Sequence, residues 1–307
     1  MTAVKILRIF IYNLLKNVSE SDIIMTVGII GLGLIGASIA KTVRKHTDFV
    51  VLGYDVNKKV MENARLDATI DGELDLSMDK CDIVVVALYP DDIVKFVKDN
   101  AMYLKDTIVI DCGGTKTKVC SELFPVAKEN GFTFIGGHPM AGIEKSGYDY
   151  STDSLFDGAF MIMVPPEELD ARTLDYAKMF FISLGFYRIT VTTAEEHDKI
   201  IAYTSQLAHI ASSAYVKSPT SLQNLGFSAG SFKDMTRVAY LNENMWSELF
   251  LQNKDFLLGE LKVLIDNLTE YHKAISEGNR DALMALLTDG KQKRIASWTA
   301  VEDKKRR

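Results

Sequence analysis

The sequence is poor in cysteine. It has 3 cysteines in 307 residues, Cys81, Cys112 and Cys120, too few and wrongly spaced for a metal-ligand cluster or a disulfide framework. A sparse, odd set fits a reducing compartment, so the chain is expected to be cytoplasmic and to hold no metal. Long apolar runs are also missing: no stretch reaches the roughly 20 residues that a membrane-spanning helix needs. The charge balance excludes a third class. With 35 basic against 41 acidic residues and a net charge of -6, the surface offers no broad attraction to nucleic acid. There is no internal repeat and no low-complexity segment.

What is present is the composition of a globular protein, 47% hydrophobic and 25% charged, with material for a sizeable core and a length that suggests two domains. Residues 1–24 read as an N-terminal extension. They form either an amphipathic helix on the body or an upstream segment ahead of Met25, and no small-residue cleavage site follows the uncharged core from Ile9 to Leu15. From Thr26 the pattern alternates strands and helices. "TVGIIG", "FVVLGYD", "CDIVVVAL", "DTIVIDCG" and "FTFIGGH" are apolar runs separated by helical stretches, the signature of a parallel sheet covered on both faces. "AFMIMVP" and "YRITVT" flank a helix near 168–184 and extend the sheet, with mixed direction. At "TAEE" the texture changes. Thr193 and Glu196 form a capping box, and only helix-compatible sequence follows. The expected fold is therefore an α/β Rossmann-type dinucleotide-binding domain over 25–193, followed by an all-α domain over 194–307. That much helical apolar surface is buried against the first domain or a second copy.

"GLGLIG" places Gly31, Gly33 and Gly36 between the first strand and the first helix, the context that gives this weak pattern meaning. Gly31 permits the tight turn, Gly33 the approach of a pyrophosphate, and Gly36 close helix–strand packing. The helix N-terminus, from Leu34 and Ile35, supplies free N–H groups to an anion. Asp55 ends the second strand, nineteen residues past Gly36, where a carboxylate meets the ribose hydroxyls and repels a 2′-phosphate. NAD is thus expected over NADP. The competing role for Asp55 is the N-cap of the helix beginning near Lys58.

"GGHPMAGIEKSG" sets His138 among Gly136, Gly137, Ala141 and Gly142 at the apparent end of a strand. An imidazole there can take a proton from an alcohol while a hydride leaves the same carbon, and small neighbours let the backbone come close to a ligand. The plainer role is a histidine closing a strand end.

In chain order, "GLGLIG", "DCGGTK", "GGHPMAGIEKSG", "EEHDKIIAYTSQLAHI", "GSFKDMTRVA" and "MWSELFLQNK" resemble the prephenate dehydrogenase family of tyrosine biosynthesis. The resemblance spans Thr26 to about Lys293. It implies NAD-dependent oxidation at the ring hydroxyl of prephenate with loss of the ring carboxylate, giving 4-hydroxyphenylpyruvate. It implies that His138 is catalytic and that Arg237 binds a substrate carboxylate, against the spacing alternative of a surface pair with Asp234. His209 and His197 fall near the substrate, and Glu144 and Lys233 in the polar network around it. Trp246 falls beside the pocket and Gly114 at the cofactor. It also implies a homodimer formed through the helical domain. His197 and His209 lie twelve residues apart, roughly 18 Å along a helix, so both meet one small ligand only if the helix breaks or one plays a supporting part. The family commonly has serine at position 114, supporting the catalytic histidine; here Thr115 or water is expected to substitute. No separate regulatory domain is expected to follow. Arogenate dehydrogenase is the alternative enzyme. A β-hydroxyacid dehydrogenase, which would need a lysine base, and a non-catalytic NAD sensor are more distant.

Overall fold

The computed structural model describes residues 25–75 and 78–306. The expectations for residues 1–24 lie outside the described residues. Strands and helices alternate in the first part: β1 (Thr26–Ile30), α1 (Leu34–His46), β2 (Val50–Tyr54), α2 (Lys58–Leu66), β3 (Gly72–Glu73), β4 (Ile83–Val86), α3 (Pro90–Asn100), β5 (Ile108–Asp111), α4 (Thr117–Asn130), β6 (Thr133–Met140), β7 (Phe160–Val164), α5 (Ala171–Ser183) and β8 (Arg188–Val191). The strands form one sheet in the order β3-β2-β1-β4-β5-β6-β7-β8. β3 through β6 run parallel. β7 is antiparallel to β6 and β8 parallel to β7, which is the mixed direction expected. The order reverses between β1 and β4, and in such sheets ligands bind beyond the strand ends at that reversal.

The sheet is buried on both faces, as its uninterrupted apolar strands require. In β4, Ile83 and Val85 enter one core with Val27, Ile29 and Phe180. Val84 and Val86 enter the other with Ile93, Val97 and Leu123. Every residue of β4 is fully buried.

After β8 the chain is helical: α6 (Ala194–Ile201), a π-helical segment (Ala202–Leu207), α7 (Ala208–Val216), α8 (Gly230–Thr236), α9 (Glu243–Gln252), α10 (Lys254–Ser276) and α11 (Arg280–Arg306). Thr193 Oγ1 accepts from Glu196 N at 3.2 Å. The return half of the capping box is replaced, because Glu196 pairs with Lys199 at 3.7 Å. Contacts divide the chain into two compact units after Lys254. The change of texture at Thr193 is thus a change from sheet to helix inside the first unit. In the second unit, Gly278 at φ +62 turns the chain between α10 and α11.

Candidate active site

The glycine turn follows β1, at the reversal of strand order. Gly31 has φ +84, and a Cβ there would lie 2.6 Å from the Ala87 carbonyl oxygen. A Cβ on Gly36 would lie 1.9 Å from the Gly31 carbonyl oxygen, whereas one on Gly33 would meet nothing within 4 Å. Two glycines therefore serve packing, and the third leaves open space at the start of α1. No side chain caps α1, so the amides of Leu34 and Ile35 keep their capacity for an anion. Asp55 is held at the end of β2, where Oδ2 accepts from Leu32 N and Oδ1 from Asn57 N, each at 2.8 Å. It is not the cap of α2; that is Asn57, which accepts from Lys59 N and Val60 N. These residues fit a dinucleotide: open backbone, an uncapped helix end and an acid beside them.

His138 lies within β6, not at its end. The strand continues through Pro139 to Met140, and His138 is opposite Ile162 of β7. Its Nδ1 is 2.9 Å from His197 Nε2. His197 Nδ1 is 2.7 Å from Asp198 Oδ1. Asp198 in turn accepts from Lys116 N and Thr117 N, both at 2.8 Å, at the positive end of α4. The ring protons follow from this order. Asp198 is an acceptor, so His197 Nδ1 carries a proton and Nε2 does not. His138 Nδ1 must then donate to His197, which leaves His138 Nε2 unprotonated as a base. Burial holds the His138 pKa well below the usual imidazole value, helped by His197 and Lys116 against the opposing pull of Asp198. Burial also lowers His197, offset by its bond to Asp198. The Asp198 carboxyl lies below the usual range, because bonds from His197 and Thr117 outweigh a burial effect that pushes it up.

A second group forms around His209 on α7. Its Nδ1 donates to the Ser205 carbonyl at 2.8 Å, and Trp246 stacks on it with ring centroids 4.0 Å apart. Arg237 forms an ion pair with Glu144, and both carry charge to His209. Arg237 thus pairs with Glu144, from the loop six residues past His138, not with Asp234. Lys233 lies one turn before Arg237 on α8 and is exposed, outside these contacts.

Two of the expected residues are engaged elsewhere. His197 is 2% exposed and both its ring nitrogens are bonded, to His138 and Asp198, so it stands behind His138. Thr115 does not support His138, because its hydroxyl donates to Gln252 Oε1 at 2.8 Å. Gly114 faces Leu249, whose Cδ2 would lie 3.0 Å from a Cβ there. The flanking glycines also serve a different end. A Cβ on Gly137 would lie 2.2 Å from the Asp111 carbonyl oxygen, and one on Gly136 would lie 2.7 Å from Cys120 Sγ. They admit β5 and α4, not a ligand. Sequence reasoning missed Asp198, Asp111, Lys116 and Thr117. The His-Asp dipeptide just after a helix cap was a signal for Asp198.

The chain is similar to one family over most of its length. Residues 39–189 match the prephenate dehydrogenase nucleotide-binding domain, and residues 193–289 match the prephenate dehydrogenase dimerization domain. The chain belongs to the prephenate dehydrogenase family. The glycine turn lies just ahead of the first match. Prephenate dehydrogenase of Lactococcus lactis subsp. cremoris is 31% identical over 87% of this chain and 76% of its own. Cyclohexadienyl dehydrogenase of Zymomonas mobilis is 30% identical over 89% of this chain and 96% of its own. The crystal structure of A. aeolicus prephenate dehydrogenase with hydroxyphenyl propionate and NAD+ is 28% identical, with a TM-score of 0.76 over 90% of this chain and 99% of that one. Among the described residues no cluster of His, Cys, Asp or Glu is placed to hold a metal, and no helix is long and apolar enough to cross a membrane.

Proposed function

We propose that the chain oxidises prephenate with NAD as electron acceptor, and that His138 Nε2 is the base. The observation that carries this is the chain of contacts from Asp198 through His197 to His138, whose proton order, set by the acceptor Asp198, leaves one imidazole nitrogen ready to accept. Gly33, the start of α1 and Asp55 would hold NAD, which when bound takes the hydride from the ring carbon that bears the hydroxyl. His138 takes the hydroxyl proton as that carbon is oxidised. The ring carboxylate then leaves as carbon dioxide, its bonding electrons complete an aromatic ring, and His138 returns the proton to the ring oxygen. The main tasks of the protein are positioning and proton transfer.

Arg237 suits a substrate carboxylate, since a guanidinium makes paired charge-assisted bonds. Glu144 pairs with it, its charge reaches His209, and Trp246 packs on that histidine; Lys233 lies at the margin, and Gly114 lies on the loop that leads into α4. The sheet part, 25–193, carries the cofactor, and 194–307 carries substrate contacts and dimerisation. The three free thiols suit a reducing cytoplasm. Arogenate is a second reading with its own observation: His209 donates Nδ1–H to Ser205, so its Nε2 is an acceptor that suits a substrate ammonium.

The test is the rise of NADH absorbance with NAD and either prephenate or arogenate. Wild type is expected to turn over prephenate. His138→Asn is expected to bind prephenate and lose roughly 10²–10⁴-fold in kcat, the usual contribution of a general base. A variant that turns over at the wild-type rate removes His138 from this role.

A further inference from the structure

Asp111 and Lys116 form an ion pair whose side chains are both 0% exposed. Neither is a member of the proton relay. Such a pair is a weak device for stability, because apolar residues of similar volume often replace one at no loss. Its bonds point to another purpose. Asp111 Oδ1 accepts from Gly137 N at 3.0 Å; Oδ2 accepts from Gly113 N at 2.8 Å and from Lys116 Nζ. This occurs where the β5–β6 ladder has ended at Ile110 and Ile135 and β6 has turned to pair with β7. The Asp111 carboxylate therefore replaces the missing ladder bond at the residue before His138. Lys116 meanwhile gives its backbone N–H to Asp198. The contacts close a ring: Gly137, His138, His197, Asp198, Lys116, Asp111 and back to Gly137. Three glycines make room for it. A Cβ on Gly113 would lie 3.1 Å from Asp111 Oδ2, one on Gly136 3.1 Å from Lys116 Cδ, and one on Gly137 in the Asp111 carbonyl.

We propose that Asp111 and Lys116 are positioning residues for His138, closing a hydrogen-bonded ring that fixes its imidazole against His197 while touching neither substrate nor cofactor. The proposal rests on the reading of His138 as the base. It also accounts for the glycines of "DCGG" and "GGHP" as space for the pair.

The experiment compares Lys116→Met, Asp111→Asn/Lys116→Met and wild type for kcat, KM, NAD binding and the pH profile of kcat/KM. Lys116→Met is expected to lower kcat by roughly 100-fold, the scale of a misplacement near 1 Å, with KM for prephenate and NAD affinity little changed. Its acid limb moves to higher pH. The Lys116 charge acts with burial and His197 to hold His138 low, against Asp198, and Asp111, which raises His197, then lacks its counter-ion. The double variant removes both charges. It is expected to regain thermal stability but not kcat. A folded, NAD-binding double variant with wild-type kcat overturns the proposal, as does Lys116→Met with raised KM and unchanged kcat, which would make the lysine a substrate ligand. Should Lys116→Met fail to fold, Gly136→Ala/Cys120→Ala presses on the Lys116 stem with every charge kept, and an unchanged kcat there overturns it equally. An inactive His138→Asn beside fully active ring variants leaves the base intact and removes only the positioning pair.

Discussion

At His197 a single proton decides the direction of the relay. Asp198 is an acceptor only, and that forces the tautomer of both rings. An amide at position 198 can donate to His197 Nδ1, which moves the ring proton to Nε2 and sets it against the proton of His138 Nδ1. Asp198→Asn is therefore expected to lower kcat by roughly 10²–10⁴-fold, as loss of a general base does, with KM for prephenate nearly unchanged. Steady-state kinetics on the two proteins check this, and equal kcat values would remove Asp198 from the relay. The same rings set a pH dependence. His138 and His197 are both lowered from the ordinary imidazole value, chiefly by burial, so the unfolded chain binds more protons than the folded one at mildly acid pH. Their contribution to stability is complete above an unfolded pKa of about 6.5 and is lost as pH falls toward the folded values. At this scale the sequence was legible where a residue type has few uses. His138 between glycines and Arg237 in its block both stood out. Asp198 did not, because an acid one turn into a helix that already begins with Glu195 and Glu196 reads equally well as part of a solvated charged face.

The π-helical segment from Ala202 to Leu207 shows what periodicity cannot resolve among elements. Its apolar positions read as one α-helix from Ala194 onward, since one wide turn barely changes the hydrophobic spacing. Such segments cluster at functional sites, and this one separates His197 from His209. Gln206 and Asn253 hold it. Asn253 Nδ2 donates to the Asp198 carbonyl and to Gln206 Oε1, each at 2.8 Å, while Gln206 Nε2 donates to the Leu249 carbonyl at 3.2 Å. The end of α9 is thereby fastened to the helix that carries the relay. Asn253→Leu leaves Gln206 Oε1 buried without a donor, at about 1–3 kcal/mol, while the Asp198 carbonyl keeps its bond from Ala202 N. The thermal midpoint is expected to fall and kcat with it, while an unchanged midpoint would show that the bonds carry no net stability. β6 is the other element whose extent was misread. Proline is rare inside a central strand, so "GGHP" looked like an end. The antiparallel partner β7 arrives from later in the chain, and no local pattern announces that Pro139 will sit opposite Met161.

At the scale of the whole molecule, alternation of strand and helix made the doubly wound sheet readable, because a parallel sheet buried on both faces leaves no freedom in composition. The helical part was less readable, since helix spacing shows that a face is apolar but not what covers it. In the second compact unit, Leu258, Ile265, Leu268 and Ile275 follow one another at intervals of seven, three and seven residues along α10, which places them on one stripe. Leu268 is 58% and Ile275 65% exposed in the single chain. Met284, Leu287 and Ile295 of α11 are exposed as well. A contiguous apolar stripe of this kind is costly in water and marks an association surface. The match of residues 193–289 to a dimerization domain makes a second copy the partner that fits. Light scattering at micromolar concentration is expected to give twice the chain mass of 34.2 kDa. Leu268→Glu/Ile275→Glu sets two carboxylates on the stripe, which a dry interface cannot solvate, and is expected to give a monomer with a lower thermal midpoint. A wild-type chain that scatters as a monomer, or a double variant that stays dimeric, would place the interface elsewhere or nowhere.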